Sequence, residues 1–163
     1  MKLAFRDIAF MAVLISVSYF MSNVKIMEGI TLATAPAFLA AFLFRDYKAG
    51  IVGAAAHLLS SSTAGFPLGV QTHVATAIIM FLLLTTAGWL IKKTNVVAGV
   101  GFIFLINSFV MPLALFIAQP FNETLYATSV VDLAPATLVN LIIAGFVARP
   151  LRARFISPYD ERR

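Results

Sequence analysis

The sequence predicts an all-α membrane protein: a six-transmembrane-helix bundle in a single integral domain over residues 1–163, with both termini cytoplasmic. Three observations predict it. Hydrophobic residues make up 61% of the chain and charged residues only 12%, about half the charged share of an ordinary soluble domain. The apolar residues fall in long blocks between short polar breaks, and blocks of roughly 17–25 apolar residues match the hydrocarbon thickness of a bilayer when helical, whereas transmembrane strands would alternate apolar with polar. The third observation is the placement of the cations. With spans at about 7–24, 30–44, 49–64, 70–91, 96–118 and 128–148, only Lys25 of the twelve Lys and Arg residues falls outside, a positive-inside pattern.

The first span follows Arg6 and Asp7 and runs on through Phe20 to Val24 without an Ala-x-Ala-like cleavage site, so it is expected to be retained rather than removed as a signal peptide. The second and third spans flank the charged turn Arg45-Asp46-Tyr47-Lys48; the third is short and rich in Ala, Gly and Ser, and without it Lys92 and Lys93 would lie outside. The fourth and fifth flank Lys92-Lys93-Thr94-Asn95, and the sixth ends at the basic tail from Arg149. Internal turns are tight and charged. External ones, 22–29, 60–69 and 119–127, are longer and nearly neutral. The net charge of +5 thus reads as orientation, with a pull toward anionic membrane lipid, and not as nucleic-acid binding. The chain has no cysteine, which excludes disulfides and thiolate metal sites.

Polar residues in so apolar a chain mark candidate sites. In the stretch SSSTAGFPLGVQTH, residues 60–73, Ser62 and Thr63 supply hydroxyls, Gly65 and Gly69 allow unusual backbone, and Pro67 stiffens the turn around Phe66. Such a segment either makes an ordinary turn or folds back over a cavity as a lid, with Gln71, Thr72 and His73 opening a helix whose free N–H groups favour an acceptor. Asn107, Asp132 and Asn140 lie within spans, where polar side chains normally face the bundle interior. Asn140 sits two turns below Asp132 on the same face; Asn107 and Asn140 would serve equally as helix-to-helix hydrogen bonds. His57, among Ala54, Ala55 and Ala56, is expected to pack between helices. Where the first and third external loops meet over a cavity, Asn23 and Glu28 come within reach of His73.

Ala9, Ala12 and Ser16 form a small-residue face at the start of the first span, where a partner helix could dock. Nucleotide-binding, zinc-protease and serine-hydrolase motifs are absent, so no enzymatic activity and no cofactor is expected. Neither His-x-x-x-His nor Glu-x-x-His occurs, so no metal site is expected.

The size, the six spans, the small-residue face on the first, the stretch LATAPAFLAAFLFRDYKAGIVGAAAH and the ending APATLVNLIIAGFVARPLRAR together resemble the substrate-binding S components of energy-coupling factor (ECF) transporters, bacterial vitamin importers. The resemblance covers nearly the whole chain. It implies a cavity near the external face, closed by the loops between spans one and two and between spans three and four, that captures a vitamin or vitamin precursor. It also implies a transmembrane coupling subunit and two ATPase subunits as partners, in the bacterial cytoplasmic membrane. Carried over by position, it assigns the substrate to Gln71, Thr72, His73, Asp132 and Asn140. The family's docking motif, Ala-x-x-x-Ala, appears as Ala12 to Ser16, its second alanine replaced by serine. With few fixed charges near the cavity, an alpha-ribazole-like or pantothenate-like ligand is the most compatible. Two rival functions share the composition: a self-sufficient proton-coupled permease titrating Asp132 or His57, and a non-transport membrane assembly protein.

Overall fold

The computed structural model describes residues 4–27 and 30–155. Six α-helices make up the fold, α1 (Phe5–Met21), α2 (Ala35–Phe44), α3 (Tyr47–Thr63), α4 (Val70–Lys93), α5 (Val96–Leu105) and α6 (Glu123–Phe155), with one small hairpin, β1 (Lys25–Met27) against β2 (Ile30–Thr31). Among the described residues, three segments are long and apolar enough to cross a membrane: Val70–Lys93, Val96–Ile117 and Glu123–Arg152. Large apolar side chains point outward from them; Val97, Val131 and Phe146 are each at least 70% exposed. A face of that kind suits lipid and not water, so the fold is that of a helical membrane protein.

The helix ends follow from local chemistry. Asp46 accepts the Lys48 N–H at 2.9 Å to start α3, Asn95 the Ala98 N–H at 2.9 Å to start α5, and Asn122 the Leu125 N–H at 2.9 Å to start α6, each capping an otherwise orphaned donor. This last cap, with a helix that continues through the basic end, makes α6 longer than the expected span of 128–148. At 33 residues it is about 50 Å long.

The expected second span, 30–44, takes a different form. Ile30 and Thr31 belong to the hairpin, and the helix begins only at Ala35, with Pro36 in its first turn where a missing N–H costs nothing. Its ten residues span about 15 Å, half a bilayer's hydrocarbon. Every residue from Ala35 to Leu43 is buried, against α1, α3, α4 and α6. It is the central core helix, which is why its sequence is apolar on all sides.

The closest pair is α3 with α4. A Cβ at Gly50 would fall on the Thr85 hydroxyl and the Phe81 carbonyl, so this glycine sets how near the two backbones come. Charge gathers at the end of the bundle where α2 turns into α3. There Lys48 Nζ meets Asp7 Oδ2 of α1 at 2.8 Å and Asp46 Oδ2 at 3.3 Å, and Arg152 Nη1 of α6 donates to the Phe42 carbonyl at 3.2 Å.

The expected fifth span has the anticipated extent but not one regular helix. After α5 the chain makes a π turn over Ile106–Val110 and then a 3-10 stretch over Met111–Ile117. Pro112 is the cause: it has no N–H for the Ser108 carbonyl and its ring crowds that carbonyl, so the hydrogen-bond ladder shifts. The Met111 N–H bonds to the Ile106 carbonyl instead. Asn107 and Ser108 are thereby turned inward and buried.

Candidate ligand-binding cavity

Away from the charged end, a cavity of about 290 Å³ opens between α3, α4, the 3-10 stretch and α6. Its walls are mostly apolar, with Leu68, Met111, Pro112, Leu115 and Leu133 among them. Polar groups enter from two sides: His57, Thr72, His73 and Thr76 from α3 and α4, and Ser129 and Asp132 from α6. A second cavity of about 280 Å³ shares Leu68, Thr72 and Leu115 with the first and adds Pro67, Ala118 and Gln119. An apolar pocket with a few convergent polar groups is the usual form of a small-molecule site, and this volume is at the small end of that range.

The loop from Ala64 to Gly69 reaches the cavities through Leu68, which lines both, and Pro67, which lines the second. Three of its residues have positive φ: Gly65 at 74°, Phe66 at 52° and Gly69 at 82°. The glycines adopt this freely, whereas for the bulky Phe66 it is a strained conformation. Backbone bonds from Gly65 to Ser62 (3.1 Å), from Phe66 to Ser61 (2.8 Å) and from Gly69 to Phe66 (2.8 Å) hold the turn. Phe66 also sets its ring 5.7 Å from that of His73.

Beneath the loop two histidines meet. His73 Nδ1 is 3.2 Å from His57 Nε2 and 2.9 Å from Ser61 Oγ, which lies 3.4 Å from His57 Nε2. His73 Nε2 accepts the Leu68 N–H at 3.4 Å. The side chains of His73 and Ser61 are buried. Among the described residues no third His, Asp or Glu joins the pair to make a metal-ligand group.

The expected site residues fall into two sets. Thr72, His73 and Asp132 line the cavity; of the residues expected as a lid, Pro67 lines the second cavity and none lines the first. Gln71 is exposed on α4 and lines neither cavity. Asn23 is exposed and donates to the Tyr19 carbonyl at 3.4 Å, a local tie at the end of α1. Asn107 donates to Thr137 Oγ1 at 2.7 Å. Asn140 donates to the carbonyls of Thr31 and Ala136, both at 2.8 Å. Both asparagines are buried helix-to-neighbour ties away from the cavity wall. Glu28 lies outside the described residues. Ser62 and Thr63 end α3, bonding back to carbonyls of their own helix. Ala9, Ala12 and Ser16 are exposed on α1.

Sequence reasoning did not assign Ser61, Thr76 and Ser129, and it placed His57 between helices or in a permease, not beside a captured ligand. The signal was present for His57 and Ser61. A helical hairpin brings together residues equidistant from its turn, and His57 and Ser61, four apart on one face, stand opposite His73 across the 64–69 turn. Compared with known proteins, the chain matches no protein-family model, no curated protein and no solved structure.

Proposed function

We propose that the chain is the substrate-capturing subunit of an ATP-driven ECF-type importer in the bacterial cytoplasmic membrane, crossing it six times with both termini inside. The observation that carries this reading is the cavity itself, apolar on its walls, lined by Leu68 of the 64–69 loop and polar at His57, Thr72, His73 and Asp132. Such a cavity suits a small, water-soluble ligand without strong negative charge, since among the described residues no Lys or Arg lines it and one carboxylate does. An alpha-ribazole-like or pantothenate-like molecule has this character. The clustering of Asp7, Lys48 and Arg152 at the opposite end supports the orientation, with that end inside. The exposed Ala9, Ala12 and Ser16 offer the coupling subunit a smooth helix face.

The test is a thermal-shift screen of the purified chain against water-soluble vitamins and their precursors, preceded by native mass spectrometry for co-purified ligand. A ligand present at a thousand times its Kd stabilises by about 4 kcal/mol, so one binder will stand out. No response across the set defeats the reading.

A second reading is favoured by one feature. His57, His73 and Asp132 share a cavity, as a proton-coupled permease would require. Uptake by vesicles containing this chain alone, driven by a pH gradient and lost in Asp132→Asn, would establish it in place of the first.

A further inference from the structure

We propose that His73 is a proton-sensitive latch on the 64–69 loop: the neutral ring holds the loop down over the cavity, and protonation releases it. The directions of the hydrogen bonds carry the inference. A backbone N–H can only donate, so the bond from Leu68 makes His73 Nε2 an acceptor with no hydrogen of its own. A neutral imidazole then carries its hydrogen on Nδ1. That hydrogen has Ser61 Oγ as its acceptor, 2.9 Å away, which leaves the Ser61 hydroxyl hydrogen for a lone pair on His57 Nε2, 3.4 Å away. Leu68, His73, Ser61 and His57 thus form a one-way relay in which each donor meets an acceptor, and only with both rings neutral.

A proton added to His73 goes to Nε2 and sets one N–H against another at Leu68. A proton added to His57 goes to Nε2, removes the acceptor of the Ser61 hydroxyl and faces the Nδ1–H of His73, 3.2 Å away. Either event breaks the relay. The loop has little else to hold its far half to α4, because its remaining backbone bonds are internal or to the helix ends beside it. Phe66, strained at φ 52°, gains from letting go.

The charged surroundings are simple. Of the elements packed on α3 and α4, neither α2, α5 nor the 3-10 stretch has a titratable side chain. From α1 come Tyr19 and, at the far end with Lys48, Arg6 and Asp7; Lys92 and Lys93 end α4 at that same far end. Asp132 of α6 shares the cavity and, among the described residues, is the carboxylate placed to favour a protonated histidine there.

The chain has two histidines and no cysteine, which makes the test clean. Histidine-selective 15N NMR of the full chain in lipid nanodiscs reports the tautomer of each ring. A spin label on Ala64→Cys, an exposed position, reports the loop. At about pH 8 His73 is expected as the Nδ1–H tautomer, and on titration to about pH 5, across the range where imidazoles charge, imidazolium formation and loop mobility should rise with one midpoint. In His73→Gln, whose amide oxygen can still accept from Leu68, the loop should stop responding to pH. In Asp132→Asn it should still respond. An Nε2–H tautomer at about pH 8, a loop indifferent to pH, or a response that survives His73→Gln overturns the latch. Wild-type tautomer and loop data decide the matter even where a variant does not fold. No ligand is needed, so the latch and the capture reading stand or fall separately.

Discussion

Asn140 separates a structural role from a ligand-binding one, and its two conservative replacements should behave very differently. Its amide nitrogen donates to the Thr31 carbonyl of the hairpin and to the Ala136 carbonyl of its own helix, both at 2.8 Å, while its buried Oδ1 has no partner. Hydrogen bonds between elements of membrane proteins average about 0.6 kcal/mol and reach about 1.7, so losing both costs about 1–3 kcal/mol. An unsatisfied buried acceptor costs about 1–3 kcal/mol, and Asn140→Leu removes it along with the bonds. Thr31 is only half-buried, so its freed carbonyl can recover water. The net change for the leucine variant is therefore within about 1 kcal/mol. Asn140→Asp instead sets an oxygen against two carbonyl oxygens in a site 1% exposed, and a buried uncompensated charge costs about 3–5 kcal/mol. The assay is thermal unfolding of both variants in one detergent, with limited proteolysis near the 25–31 hairpin as a local probe. Asp should be severely destabilised, and Leu should keep its melting temperature while its hairpin is cut faster. A leucine variant as unstable as the aspartate one would refute the reasoning, because it would mean that Oδ1 contributes a bond to water or ligand.

Other outcomes follow from the same geometry. Thr72→Val keeps the shape of a cavity-lining side chain but removes its hydroxyl, so affinity for the captured ligand should fall about tenfold, the value of one hydrogen bond near 1.4 kcal/mol; Gln71→Ala, outside the cavity, should leave isothermal-titration affinity within about twofold. Gly50→Val drives a side chain into Thr85 and Phe81 and should cost about 1–3 kcal/mol by thermal unfolding. Tyr126→Phe removes the bond to the Phe109 carbonyl at 2.9 Å and should cost about 0.5–1.5 kcal/mol on the same assay. Lys48 lies in the first turn of α3, at the charged end of the bundle; burial lowers its pKa, but the Asp7 bond and the charges of Asp46 and Asp7 outweigh that and leave it above its ordinary 10.5. A raised folded pKa gives stability that is complete below the ordinary value and lost as pH climbs through the folded one, so wild-type melting should drop above pH 10.5, and Lys48→Met should melt lower at neutral pH and lose that alkaline step.

What the sequence disclosed and what it withheld divide along physical lines. Long apolar blocks and terminal charges fix where helices lie, so α4, the fifth span and the start of α3 were all legible. The short α2 was not. Ala35–Phe44 is apolar because protein surrounds it, and composition alone does not tell burial in protein from burial in lipid. Of the site, Asp132 was legible because a polar side chain in an apolar span needs a partner or a cavity, and Thr72 and His73 because they open a helix after a polar loop. That same argument could not say which of the two each residue has. Asn107 and Asn140 turned out to have protein partners, Thr137 and Thr31. The alanine neighbours of His57 suggest packing, yet it lines the cavity, with His73 Nδ1 3.2 Å from its Nε2.

The prolines carry a signal that the polar residues do not. Irregular backbone at membrane depth is tolerated only where protein buries it or a cavity lies beside it. Pro112 breaks the fifth span and itself lines the cavity. Pro135 leaves the Val131 carbonyl without its helical donor, and the neighbouring Asp132 and Leu133 line the same cavity. Both interrupted ladders thus border it. His57 and His73 line it from α3 and α4, and Leu68 of the 64–69 loop lines it as well. A ligand in this space meets fixed groups on the proline-broken walls and a movable one in the loop, so affinity should be set by Thr72 and Asp132, while the rate of entry and exit should be set by His73.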